Sequence, residues 1–112
     1  METLTHAPVL ARFGHALSDP TRCRLLLTLR EAPGYPAELA ELLGVSKQSL
    51  SNHLACLRGC GLVVAVPEGR RVRYDLADVR VGSALGDLLG VVLAVDPTVG
   101  APVGDAGAEA GR

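Results

Sequence analysis

At 112 residues, with 48% apolar but only 3% aromatic side chains, the chain suits one domain whose core is leucine, valine and alanine, a composition that favours helices. No run of about 18 uninterrupted apolar residues occurs and Met1 is not followed by a basic then apolar leader, which excludes a membrane span and a secretory signal and implies a soluble cytoplasmic protein. The formal charge of −1 hides an asymmetry: residues 18–73 carry eight Lys and Arg against five Asp and Glu, whereas residues 74–112 carry two against six, so nucleic-acid affinity would come from a local, salt-sensitive patch.

Residues 1–7 lack a clear period and are expected to form a flexible N-terminus. Between Val9 and Leu17 the apolar set Leu10, Phe13, Ala16 and Leu17 fits a first helix. Ser18-Asp19-Pro20 supplies a cap and then proline at the first helical position, which starts a second helix with Leu25, Leu26 and Leu29 on its apolar side and Pro33-Gly34 at its end. A third helix opens at Pro36 and stops at Gly44. The short turn Gly44-Val45-Ser46 leads into a fourth, capped by Ser46 and stopped by Gly61. Its residues Leu50, Leu54 and Leu57 recur at i, i+4 and i+7 and make the buried face. Gln48, Ser51 and Asn52 lie around the other side, a small, polar, uncharged surface suited to base edges and phosphate oxygens in a major groove. Two helices joined by a short glycine-containing turn make a helix-turn-helix. Ser46, Lys47, Gln48, Ser49, Ser51 and Asn52 are its candidate DNA contacts.

After Gly61 the period changes. Leu62-Val63-Val64-Ala65-Val66 reads as a strand, Pro67-Glu68-Gly69 as a turn, and the stretch from Arg71 to Leu76 alternates with period two. The resulting hairpin carries Arg70, Arg71 and Arg73 at its tip, which makes it a wing with phosphate-contacting arginines. A last helix is expected from about Asp78 to Val95, apolar almost all round from Leu88 onward. So greasy a helix in so small a domain calls for a twin subunit, with Leu10, Phe13, Leu85, Leu88, Leu89, Val92 and Leu93 in the interface. Residues 96–112 are acidic, rich in Gly, Ala and Pro, and expected to be disordered. The fold expected is therefore mainly α with a small β-hairpin: a homodimeric winged helix-turn-helix of about five helices over residues 8–95.

Three cysteines, an odd number, argue against a disulfide framework. Cys56 and Cys60 are one helical turn apart, so both sulfurs can meet over a single soft ion, or can simply pack as small apolar groups. Cys23, His53, His6 and His15 are further candidate ligands; for His53 a packing or hydrogen-bonding role is the stronger reading. No set of base, nucleophile and oxyanion donors is recognisable, so an enzyme and a small organic substrate are not expected. A winged-helix module that binds protein partners is the rival of another class.

In Leu17-Ser18-Asp19-Pro20-Thr21-Arg22, in Ser51-Asn52-His53-Leu54 through Leu57-Arg58 to Gly61-Leu62-Val63, and in Glu68-Gly69-Arg70 through Tyr74, the chain resembles the ArsR/SmtB family of metal-responsive winged-helix repressors. Within it the cysteine pair on the recognition helix is most similar to the cadmium- and lead-sensing CmtR branch. The resemblance implies a dimer that binds a palindromic operator as a repressor and is released by a thiophilic divalent ion, Cd(II) or Pb(II) first, with Ni, Zn or As open. In that branch a third thiolate comes from the tail, and the tail here, around Val99 to Val103, has no cysteine. A nickel or zinc site drawing on histidine, and oxidation or persulfidation of the dithiol, therefore stay open as alternatives.

Overall fold

The computed structural model describes residues 5–95 and residue 98. Along these run α1 (Ala7–Ala16), α2 (Pro20–Glu31), α3 (Pro36–Leu43), α4 (Lys47–Gly59), the strands β1 (Val63–Glu68) and β2 (Arg71–Leu76), and α5 (Val79–Val95). The expected flexible stretch over 1–7 falls largely, and the expected tail over 96–112 almost wholly, outside the described residues.

Local chemistry sets the helix ends. Pro8 stands in the first turn of α1, which begins two residues before the Val9 start suggested by apolar spacing. The Asp19 carboxylate accepts the Arg22 N–H at 3.0 Å and Pro20 follows as the first residue of α2. That backbone hydrogen bond is the main reason the Asp19 carboxyl sits below its usual range. Gly44, at φ 70°, closes α3 and turns the chain into α4. Ser46 Oγ accepts the Ser49 N–H at 3.0 Å. At the far end of α4, Gly61 takes φ 79° while its N–H reaches Arg58 O and the Leu62 N–H reaches Leu57 O, a Schellman closure.

The core follows the leucine periodicity. Leu25, Leu26 and Leu29 of α2 meet Leu39, Ala40 and Leu43 of α3 and Leu50, Leu54 and Leu57 of α4, with Leu62 and Val63 closing the layer. Each fully buried leucine contributes roughly 2 kcal/mol.

The hairpin corrects one expectation. β1 continues through Pro67 and Glu68, which pair with Val72 and Arg71, so the turn is Gly69-Arg70 and not Pro67-Glu68-Gly69. The reason lies on the far side of β2. Tyr74 exchanges both backbone hydrogen bonds with Gly34, at 3.0 and 2.7 Å, so its polar atoms face away from β1. With period two those of Val72 do the same, so Pro67 occupies a non-hydrogen-bonded pair, where no ladder donor is missed. A Cβ at Gly34 would lie 2.8 Å from Leu39 Cδ2, so a larger residue there would require the buried Leu39 side chain to shift.

By internal contacts the chain divides after Gly82, within α5. Asp78 caps that helix, accepting the Arg80 N–H at 2.8 Å and pairing with the Arg80 guanidinium, which together lower its carboxyl pKa to about 2. Leu85 is buried, whereas Leu88, Leu89, Val92 and Leu93 are 41%, 40%, 39% and 44% exposed. Among the described residues no helix is long and apolar enough to cross a membrane.

Candidate functional site

Burial of Leu50, Leu54 and Leu57 fixes which side of α4 faces outward. Ser46, Lys47, Gln48, Ser51 and Asn52 are exposed there and Ser49 is half-buried. Gln48 Nε2 donates to Asn52 Oδ1 at 3.1 Å, so the two amides sit side by side one turn apart. Lys47 is the one charge in this set. The remaining first-turn amides and the helix dipole add partial positive charge at this end, which suits a phosphate.

The three wing arginines have different surroundings. Arg70 is exposed at the turn. Arg71 stacks 3.5 Å above the Tyr35 ring and donates from Nη2 to Glu38 Oε2 at 2.8 Å. Arg73 is half-buried and its guanidinium grips Glu68, whose other carboxylate oxygen accepts the Tyr35 hydroxyl at 2.6 Å. Arg73 Nε is buried without a partner among the described residues. The Tyr35 hydrogen bond, then the charge of Arg73, hold the Glu68 carboxyl below its usual range, and Glu68 in turn pushes the Tyr35 hydroxyl up. Tyr35, Glu38 and Glu68 do not stand out in the sequence, because Tyr35 reaches Glu68, and Glu38 reaches Arg71, across 33 residues with no period to mark either pair.

At the other end of α4, Cys56 and Cys60 are both free and half-buried. Burial, then the neighbouring Cys56 thiol, push the Cys60 thiol up. Cys60 Sγ donates to the Arg12 carbonyl of α1 at 3.7 Å. Cys23 is spent differently, donating to Leu17 O at 3.2 Å. His53 is held by its neighbours, with Nε2 3.8 Å from Asp19 Oδ2 and Nδ1 3.5 Å from Arg22 Nη1. Arg22 is the junction: it also donates to Ala16 O at 2.9 Å and His15 O at 3.0 Å, closing the C-terminus of α1. His6 and His15 are exposed around α1. Among the described residues no three His, Cys, Asp or Glu side chains form a group able to hold a metal, so none of Cys23, His53, His6 and His15 completes the pair in such a group. The paired thiols fit a soft ion in donor type.

Of the expected interface residues, Leu10 is 69% exposed and Phe13 half-buried, and the α5 stripe from Leu88 to Leu93 is open. Leu85, at 6%, has little surface left to offer a partner.

Residues 19–64 match the model of the bacterial regulatory protein, arsR family. The chain is 61% identical over 87 residues to the transcriptional regulator CmtR of Mycobacterium tuberculosis, covering 78% of this chain and 74% of that one. The NMR structure of the cadmium metal-sensor CmtR from M. tuberculosis superposes with a TM-score of 0.64 at 60% identity, over 77% of this chain and 90% of that one. The solution structure of a homodimeric winged helix-turn-helix DNA-binding domain from Mycobacterium bovis matches with a TM-score of 0.76 at 27% identity, over 80% and 83%.

Proposed function

Because this chain belongs to the arsR family of bacterial regulatory proteins, we propose that it is a cytoplasmic, homodimeric repressor that binds a palindromic operator and releases it when a thiophilic ion, Cd(II) or Pb(II) first, is taken up by Cys56 and Cys60. The observation that carries this reading is the build of α4: one helix presents a polar, exposed face with a single charge, Lys47, at its start and two adjacent half-buried thiols at its end.

In the operator complex Gln48, Ser51 and Asn52, with Ser46, Lys47 and Ser49 at the helix start, face the major groove, and Arg70, Arg71 and Arg73 of the wing supply positive charge along the backbone. Two copies joined through Leu10, Phe13, Leu88, Leu89, Val92 and Leu93 set two half-sites about one helical turn apart. A thiolate pair supplies the soft ligands such an ion prefers. When Cys60 gives up its proton it can no longer donate to the Arg12 carbonyl, so α4 loses a tether to α1. Because α1 carries part of the proposed interface, that loss is felt in how two recognition helices are spaced. The coupling is expected to be about 1–3 kcal/mol and reciprocal, operator lowering ion affinity by the same factor.

The test is a gel-shift titration with and without Cd(II). Cys56→Ser and Cys60→Ser are expected to keep operator binding and lose release by the ion. A Cys56→Ser protein still released by Cd(II) would remove the site assignment, and release by peroxide or polysulfide alone would replace the ion with thiol oxidation.

A further inference from the structure

Arg71 is offered above to the DNA backbone, yet its guanidinium is already engaged on both its face and its edge. The face lies on the Tyr35 ring, 3.5 Å from the centroid, and Nη2 donates to Glu38 Oε2 at 2.8 Å. Both partners sit at the start of α3, Tyr35 as the residue before the helix and Glu38 in its first turn. Tyr35 is itself fixed, since its hydroxyl donates to Glu68, which also holds Arg73. Stacking therefore orients the guanidinium plane and leaves its N–H edge for an anion. A carboxylate and a phosphate present a similar pair of oxygens to that edge.

We infer that Glu38 stands in for a DNA phosphate at Arg71 in the unbound protein, so that operator binding exchanges one anion for the other and Glu38 lowers the affinity for DNA. This rests on the operator-binding reading above. The Arg71 and Glu38 side chains are 55% and 66% exposed, so the exchange needs no local unfolding. An ion pair so open to water is weak, whereas a duplex phosphate brings the gain of counterion release. The Tyr35 ring stays in place and keeps Arg71 aimed. Arg73 takes no part in the exchange, because its partner Glu68 is half-buried and also bound by Tyr35.

The experiment titrates the full-length protein with an operator duplex at several salt concentrations, comparing wild type, Glu38→Gln, Arg71→Ala and the double variant. Glu38→Gln is expected to bind about two- to thirty-fold tighter, the scale of one exposed ion pair in each of the two half-sites. Arg71→Ala should bind more weakly with a salt slope shallower by about two, the signature of one lost phosphate contact in each half-site. In the Arg71→Ala background the Glu38→Gln gain should vanish. Arg71→Lys, which keeps the charge, should restore the slope. A gain that survives in the double variant would show a general charge effect and overturn the inference, as would an Arg71→Ala slope equal to that of the wild type. A wild type that retards no duplex would instead sink the operator-binding reading itself.

Discussion

At its start α4 is polar and open to water, with Lys47 its one charge and its one acceptor for backbone amides supplied by Ser46; at its end Cys56 and Cys60 are half-buried, with Cys60 drawn toward α1 and its thiol harder to ionise. Between them Leu50, Leu54 and Leu57 lie fully or almost fully out of solvent. One helix thus keeps two chemistries apart by exposure alone. Its middle is held by the core, so the two ends share one set of packing contacts.

Leu54 lies at the centre of that buried row. Leu54→Ala is expected to destabilise the fold by about 2–5 kcal/mol in chemical denaturation and to weaken operator binding and ion uptake together. Loss of one with the other intact would mean that the ends are not joined through the core. A smaller effect separates them by pH. The Cys60 thiol is raised above its usual value, so its proton must leave when an ion binds, and ion affinity should climb with pH by about tenfold per unit for each proton released. Chelator competition across neutral pH would measure this, and operator binding by the ion-free protein should not share the slope. The smallest effect falls on the opposite end. Ser46→Ala removes the cap and should cost about 1 kcal/mol in thermal stability, lowering operator affinity while leaving ion affinity unchanged.

Helix order, caps and core leucines were legible because each is written in spacing of four residues or fewer. Asp19-Pro20, Ser46 and Gly61 act where their chemistry is local, and the Leu50, Leu54, Leu57 series needs no partner to be recognised. The hairpin turn lies two residues beyond Pro67, whose residue type marks a turn, and what lets this proline stay in a strand is a bridge from distant Gly34. The wing arginines were found as charges, but not their unequal surroundings, which depend on Tyr35, Glu38 and Glu68 arriving from elsewhere in the chain. In the same way the cysteine pair was visible as a helical repeat, while the Arg12 carbonyl that engages Cys60 lies 48 residues away. Leu85 had the hydropathy of an interface residue and proved to be covered within its own chain.

Pro67 also bears on how the hairpin meets other chains. With β2 flanked by β1 and by Gly34, the outer rim of β1 has no strand beside it among the described residues, and Val64 and Val72 add exposed apolar surface to the hairpin. Such a rim invites strand addition from a neighbouring molecule. A proline whose nitrogen faces that rim leaves a gap in the row of donors, so an added strand would meet an incomplete ladder.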